Sequence, residues 1–246
     1  MIQQTLFDSA GIQLIHGESL QTLQAMASRG EQFDALLTDP PYASGALHIG
    51  GKSQPTNAKY QQNGTERRHQ DFSGDARDQI SWMTWCAIWL NACRSILTAG
   101  APVMMFCDWR QIGAAVTSLQ NGGFVYRGIV PWEKSSARPI GGRFRAQCEY
   151  VVWGSNGPMP LRDVYLPGIF RHSVPTGAAR QHASQKPIPL LCNLLQIVPD
   201  GGRVLDPFAG SGSTLMAARS RGLAAVGIEE SEPIATAAAE RMQKGN

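Results

Sequence analysis

The sequence predicts an α/β fold: a mostly parallel, seven-stranded sheet covered by helices, with an antiparallel hairpin at one edge. Short apolar runs of strand length alternate with stretches of helical periodicity along most of the chain, the pattern of strands joined by helical crossovers. Two of these runs end in an acid followed at once by proline, Asp39-Pro40 and Asp206-Pro207, and the second continues into glycines. The runs at 124–132 and 147–153 have no helical pattern between them, so they pair as a hairpin on an otherwise parallel sheet. With 246 residues and 43% hydrophobic content, the chain can bury one full core, and residues 1–246 are expected to form a single domain.

In order, Ile12–His16 reads as a strand, and Gly17-Glu18-Ser19 turns into an amphipathic helix from about Leu20 to Met26, with Leu20, Leu23 and Met26 on one face. A buried strand, Phe33–Leu37, runs into Thr38-Asp39-Pro40-Pro41-Tyr42. Periodicity then disappears from Ala43 to Ala76 into Gly, Gln, Asn, Ser and Thr, with Lys52, Lys59, Arg67 and Arg68 scattered through it. A loop this long beside a strand end reads as a flexible lid or clasp, with a plain insertion as the alternative. Gln79–Leu97 is a helix whose Trp82, Trp85, Cys86, Trp89 and Cys93 repeat at core-facing spacing. Ala101–Cys107 is a strand, Arg110–Leu119 a helix, and Phe124–Trp132 and Gln147–Trp153 the hairpin. Gly154–Gln185, rich in Gly, Pro and Arg, is irregular. Lys186-Pro187 opens a helix to about Val198, proline suiting a first turn. Strands at 203–206 and Ala224–Ile228 flank a helix starting near Ser213, and a last helix spans Pro233–Met242.

Composition narrows the chemistry. The five cysteines form no Cys-x-x-Cys pair and the histidines no i,i+4 pair, which argues against disulfides and against a metal site. No cysteine follows a proline, so the Pro-Cys nucleophile of cytosine-C5 methyltransferases is missing. No membrane span or leader pattern stands out, and the expected location is cytoplasmic. Between Arg127 and Lys186, nine basic residues face three acidic ones, a local charge of +6 against +3 for the whole chain, so the remainder is −3. Such a segment points to a polyanion on one face, with solvated surface charge as the alternative.

Asp39 stands at the carboxyl end of a buried strand, where open α/β sheets place their sites. The two prolines after it remove N–H donors and leave carbonyls free to accept. An acceptor carboxylate, an acceptor carbonyl at Pro40 and the flat ring of Tyr42 suit a planar substrate bearing an NH₂ group. A structural Pro-Pro turn with Asp39 as a local cap is the plain alternative.

The run Asp206-Pro207-Phe208-Ala209-Gly210-Ser211-Gly212 joins a strand, an acid, a glycine loop and a helix, the layout of a Rossmann-like nucleotide cradle. Gly210 and Gly212 allow close backbone approach to a ligand, and Asp206 can meet a cationic amine. No lysine precedes Ser213, which excludes a Walker loop, and Leu215 holds the third glycine position of a dinucleotide fingerprint. Glu229 ends the next strand 23 residues past Asp206, the distance expected of a carboxylate on ribose hydroxyls.

Together, Asp39-Pro40-Pro41-Tyr42 and Asp206–Gly212 resemble the catalytic and cofactor motifs of the DNA amino-methyltransferases that use S-adenosylmethionine (AdoMet). Their order, catalytic motif first, resembles the β class, a circular permutation of the usual methyltransferase domain, and Gln185-Lys186-Pro187 is similar to a further AdoMet-contacting motif of that class. The resemblance implies that Asp206, Pro207, Phe208, Ala209, Gly210, Ser211, Gly212, Glu229 and Lys186 bind AdoMet, and that Asp39, Pro40, Pro41 and Tyr42 act on the base. The permutation puts the 12–16 strand beside the 224 strand, with Glu18 and Ser19 near the adenine of AdoMet. It gives the sheet order, by first residue, 12, 224, 203, 33, 101, 147, 124. The expected partner is double-stranded DNA, flipped adenine being methylated at N6; Trp132 is a candidate second aromatic wall, and Lys134, Arg138, Arg143, Arg145, Arg171 and Arg180 are candidate DNA contacts. Gly154–Gln185 is a short recognition segment, the Ala43–Ala76 loop a possible second DNA contact, and a homodimer a means of supplying more surface. N4-cytosine methylation, methylation of an RNA base or a glutamine amide, a non-catalytic AdoMet-responsive DNA-binding regulator and a nicotinamide dehydrogenase are the alternatives.

Overall fold

The structure, a computed structural model, describes residues 3–42, 77–135, 141–142, 144–174 and 185–245. The Ala43–Ala76 loop, Arg138, Arg143 and Arg180 therefore lie outside the described residues.

Among the described residues, fifteen strands and α-helices follow in order: β1 (Gln4–Ser9), β2 (Ile12–His16), α1 (Ser19–Ser28), β3 (Ala35–Thr38), α2 (Gln79–Arg94), β4 (Pro102–Cys107), α3 (Ile112–Asn121), β5 (Val125–Glu133), β6 (Cys148–Ser155), β7 (Phe170–Arg171), α4 (Ile188–Leu194), β8 (Arg203–Asp206), α5 (Ser213–Ser220), β9 (Ala224–Glu229) and α6 (Glu232–Gln243). One sheet has the order β1-β2-β9-β8-β3-β4-β6-β5-β7. Its central seven strands stand in the predicted order. Two additions correct the seven-stranded expectation. Strand β1 folds back antiparallel on β2 through Ala10 and Gly11, both at positive φ, and β7 pairs with the end of β5 for two residues.

Period-two alternation sorts the strands' side chains between two faces. Ala35 and Leu37 of β3, and Met104 and Phe106 of β4, join the core under α4, α5 and α6. Leu36, Val103, Met105 and Cys107 face the opposite core, with Trp82, Trp89 and Leu90 of α2 and residues of α1 and α3. Every residue of β3 and β4 is buried, as a parallel sheet covered on both faces requires. Helices α1 and α2 start on side-chain caps. The Glu18 carboxylate accepts from the Leu20 and Gln21 N–H groups, and that of Asp78 from Ile80 and Ser81. Helix α4 is shorter than predicted, passing into a 3₁₀ turn at Leu195–Ile197; among the described residues no helix is long and apolar enough to cross a membrane.

Candidate active site

Strands β3 and β8 are parallel neighbours. The chain leaves β8 through α5 toward one face of the sheet and β3 toward α2 on the other. This divergence opens a crevice at their carboxyl ends, the usual ligand position in open α/β sheets. Asp39 and Asp206 stand on its two lips.

On the β8 side, Asp206 is 2% exposed. Its Oδ1 accepts from the Thr38 hydroxyl at 2.8 Å and the Phe208 N–H at 3.1 Å, and Thr214 of α5 also bonds its side chain. The carboxylate thus shapes the turn between strand and helix. Burial pushes it up to about 6, against the lowering by these donors. Beyond it, Gly212 takes a left-handed φ of 77° as the cap of α5. Glu229 closes the cradle: its Oε2 accepts from the Gly210 N–H at 3.0 Å and its Oε1 from the Ser231 N–H at 2.8 Å. Each oxygen keeps a lone pair for a ligand hydroxyl. Ser19 donates to the Pro207 carbonyl at 2.6 Å, so Ser19 ties α1 to the glycine loop, while Glu18 caps α1 itself. The Phe208 ring packs against Trp85 and Trp89 at 5.2 and 5.1 Å between centroids. Arg241, which no sequence pattern singled out, reaches from α6 to the Ser211 carbonyl at 3.0 Å and the Ser213 hydroxyl at 3.1 Å, pinning the loop from behind.

On the β3 side, the turn after Asp39 is held by the scaffold. The Pro41 carbonyl accepts from the Trp82 indole at 2.6 Å and the Tyr42 carbonyl from Gln111 at 2.7 Å. The Pro40 carbonyl accepts from none of the described residues, leaving an acceptor beside the acid. The Tyr42 hydroxyl donates to Asp39 Oδ1 at 2.5 Å, and the Lys186 ammonium donates to Asp39 Oδ2. Lys186 is nearly buried and lies 5.3 and 5.1 Å from the ring centroids of Tyr42 and Phe106. Its place in the Asp39 cluster differs from the cofactor contact that the resemblance implied.

Glu149 is the residue that sequence reasoning missed. It lies 3.4 Å from Lys186 and 3.3 Å from the Tyr42 hydroxyl through Oε2, while its Oε1 pairs with Lys134. The antiparallel hairpin brings it here. Strand β6 starts at the end of the sheet where β4 and β5 finish, with Glu149 opposite Trp132 and Tyr150 opposite Cys107. The lone acid at the start of that predicted strand was the available signal. Burial and its two carboxylate neighbours govern Lys186: desolvation lowers it, but Asp39 and Glu149 outweigh this and hold it above the ordinary lysine range. Burial raises Asp39, Lys186 opposing and Glu149 adding to the rise. Burial also raises Glu149, yet Lys186 and Lys134 together hold it below the ordinary range.

Two candidate DNA contacts are engaged elsewhere. Lys134 belongs to the Glu149 cluster, and Arg171 pairs with Glu133 at 2.9 Å. Trp132 is 2% exposed and donates its indole N–H to the His172 carbonyl at 3.0 Å; it is core, and this corrects its reading as an open aromatic wall. Arg145 is exposed.

A glycine cradle closed by the Glu229 carboxylate thus lies next to a strand end bearing a carboxylate, a carbonyl that accepts from none of the described residues and a tyrosine. Residues 33–165 and 155–240 match the DNA methylase family of N6- and N4-type methyltransferases, and the chain belongs to it. It is 27% identical to the YubD protein of Escherichia coli (strain K12) over 217 residues, 87% of this chain and 83% of that protein. It is 24% identical to the type II methyltransferase M.HinfI of Haemophilus influenzae over 254 residues, covering 94% and 68% of the two chains. The fold is that of the M1.HpyAVI–SAM complex (TM-score 0.69, 20% identity, 94% and 98% of the chains) and of the cytosine-N4-specific PvuII DNA methyltransferase (TM-score 0.71, 13% identity, 99% and 94%). The protein is thus an AdoMet-dependent DNA methyltransferase.

Proposed function

We propose that the protein methylates adenine at N6 in double-stranded DNA. The observation that carries this reading is the pair of acceptors at the end of β3, the Asp39 carboxylate and the Pro40 carbonyl, which none of the described residues engages, set beside Tyr42. An exocyclic amine is a poor nucleophile because its lone pair is delocalised into the ring. Asp39 and the Pro40 carbonyl take its two hydrogens, draw the nitrogen toward tetrahedral geometry and aim the lone pair across the crevice, while the flipped base stacks on Tyr42. When bound, AdoMet supplies a methyl group on a cationic sulfur, which keeps the electron pair of the broken carbon–sulfur bond as the new nitrogen–carbon bond forms. Asp39, raised by its burial, is suited to receive the proton that the nitrogen then sheds.

The cradle fits such a cofactor. A Cβ built on Gly210 meets nothing within 4 Å, so the loop borders open space, and the Glu229 lone pairs suit ribose hydroxyls. An acid before Pro-Pro-Tyr favours adenine; N4 of cytosine poses the same chemical problem. Mass spectrometry of digested DNA after reaction is expected to show N6-methyladenine, and N4-methylcytosine alone would refute the choice of base.

Burial pushes Glu229 up to about 7 from an ordinary 4.5. A carboxyl raised in the folded state stabilises the fold most when protonated, so its contribution is full below about 4.5 and lost as pH rises through about 7. Ribose hydroxyls prefer the carboxylate. AdoMet affinity is therefore expected to rise from pH 6 to 8, with proton release on binding. Calorimetry in two buffers of different ionisation enthalpy measures this, and equal heats in both would remove Glu229 from the contact.

For DNA, the basic segment from Arg127 to Lys186 supplies the grip, with Gly154–Gln185 and Ala43–Ala76 reading sequence and a second subunit enlarging the surface. Replacing Arg138, Arg143 and Arg145 by Gln is expected to flatten the salt dependence of DNA binding by about 0.9 in log–log slope per lost phosphate contact. An unchanged slope would move the DNA to another face, and a fully active monomer by light scattering would dismiss the dimer.

A further inference from the structure

We infer that Glu149 is a positioning residue for methyl transfer: it takes Lys186 and Tyr42 over from Asp39 as Asp39 turns to the substrate amine. The inference rests on the reading of Asp39 as the amine's acceptor. Both Asp39 oxygens are already engaged, Oδ1 by the Tyr42 hydroxyl and Oδ2 by the Lys186 ammonium. A neutral amine competes poorly with a charged donor, and an oxygen that accepts from an ammonium has less negative charge to offer another hydrogen.

Glu149 is placed to relieve that competition. Its Oε1 is anchored by Lys134. The other oxygen, Oε2, faces both donors that hold Asp39, Lys186 Nζ at 3.4 Å and Tyr42 Oη at 3.3 Å. Each is roughly half an ångström or more beyond a good charged hydrogen bond, a gap that rotation of the side chains can close. Two carboxylates and two ammonium groups make the cluster neutral before and after, so no charge is stranded when Lys186 moves. A lysine needing only a structural partner would use one carboxylate; this one, 7% exposed in its side chain, is given two, one just past the end of β3 and one on β6 of the same sheet. Among the described residues, Cys107 at the end of β4 and Asp206 at the end of β8 also feel the charge of this cluster, and the ion pairs of Lys186 are with Asp39 and Glu149.

The test combines kinetics with crystal structures. Glu149→Gln keeps the shape and loses the charge, so Lys186 stays on Asp39. At saturating AdoMet, kcat is expected to fall roughly tenfold to a hundredfold, the worth of one charged hydrogen bond, while calorimetric AdoMet affinity is retained. Adding Lys186→Met to that variant is expected to raise kcat, because the competing cation is gone; a purely structural Glu149 predicts a further loss, and that result overturns the inference. Independently of turnover, a crystal structure of Asp39→Asn is expected to show Lys186 bonded to Glu149 Oε2, whereas a Lys186 that stays on residue 39 or turns to solvent overturns it. If the wild-type protein methylates no DNA, the proposed function fails, and the Asp39→Asn structure alone decides whether the exchange exists.

Discussion

Asp39→Ala is expected to lower the rate of methyl transfer by on the order of 100-fold or more while leaving AdoMet affinity within about twofold. The lost interaction is made with the amine and strengthens as the nitrogen becomes tetrahedral, so the loss falls on kcat and kcat/KM together. AdoMet binding survives because Asp39 bonds no residue of the glycine loop; its partners are Tyr42 and Lys186. The fold survives as well. Removing one member of a buried ion pair is severe when it strands a charge, about 3–5 kcal/mol, but Lys186 keeps Glu149 at 3.4 Å. Transfer of labelled methyl groups to DNA at saturating AdoMet, with calorimetry alongside, separates the two effects. Wild-type turnover in the variant would reduce the Asp39-Pro40-Pro41-Tyr42 stretch to a structural turn.

Where burial is two-sided, the sequence was readable. Strands β3, β4 and β9 are short, nearly all-apolar runs, and the permutation implied by the family resemblance supplied which lay side by side. Strand β1 escaped because it is an edge strand: its burial is slight at every position, so neither face imposes a hydrophobic period. Its turn, Ala10-Gly11, lacks the Asn-Gly or Asp-Gly signature of two-residue hairpins. Strand β7 is two residues long, too short for any period. At the site, chain-local chemistry was legible and cross-strand chemistry was not. The acids at 39, 206 and 229 declare themselves by the turns that follow them. The inward turn of Asp206 depends on Thr38, 168 positions away, and the role of Glu149 on a lysine from a third segment. Trp132 misled because a strand-end aromatic reads alike whether it faces a ligand or, as here, the core beside β7.

Gly210→Val and Asp206→Ala are both expected to weaken AdoMet binding, by at least about tenfold, but for opposite reasons that thermal unfolding tells apart. At Gly210, φ is +50° and an added Cβ meets no protein atom within 4 Å. Valine there costs roughly 1–2 kcal/mol for the left-handed backbone, a few degrees in a chain of this length, and places its methyl groups where a ligand must lie against the loop. Asp206→Ala opens no such conflict with the ligand. It instead removes the acceptor shared by the Thr38 hydroxyl, the Phe208 N–H and Thr214, leaving buried donors unpaired at roughly 1–3 kcal/mol each. The ligand-free midpoint should then fall by on the order of 10 °C, since β3, the loop and α5 lose their common tie. In the glycine variant, added AdoMet should raise the midpoint far less than in wild type, the linkage signature of lost affinity rather than lost fold. A Gly210→Val protein that binds AdoMet as tightly as wild type would show that the cofactor does not pass over this loop.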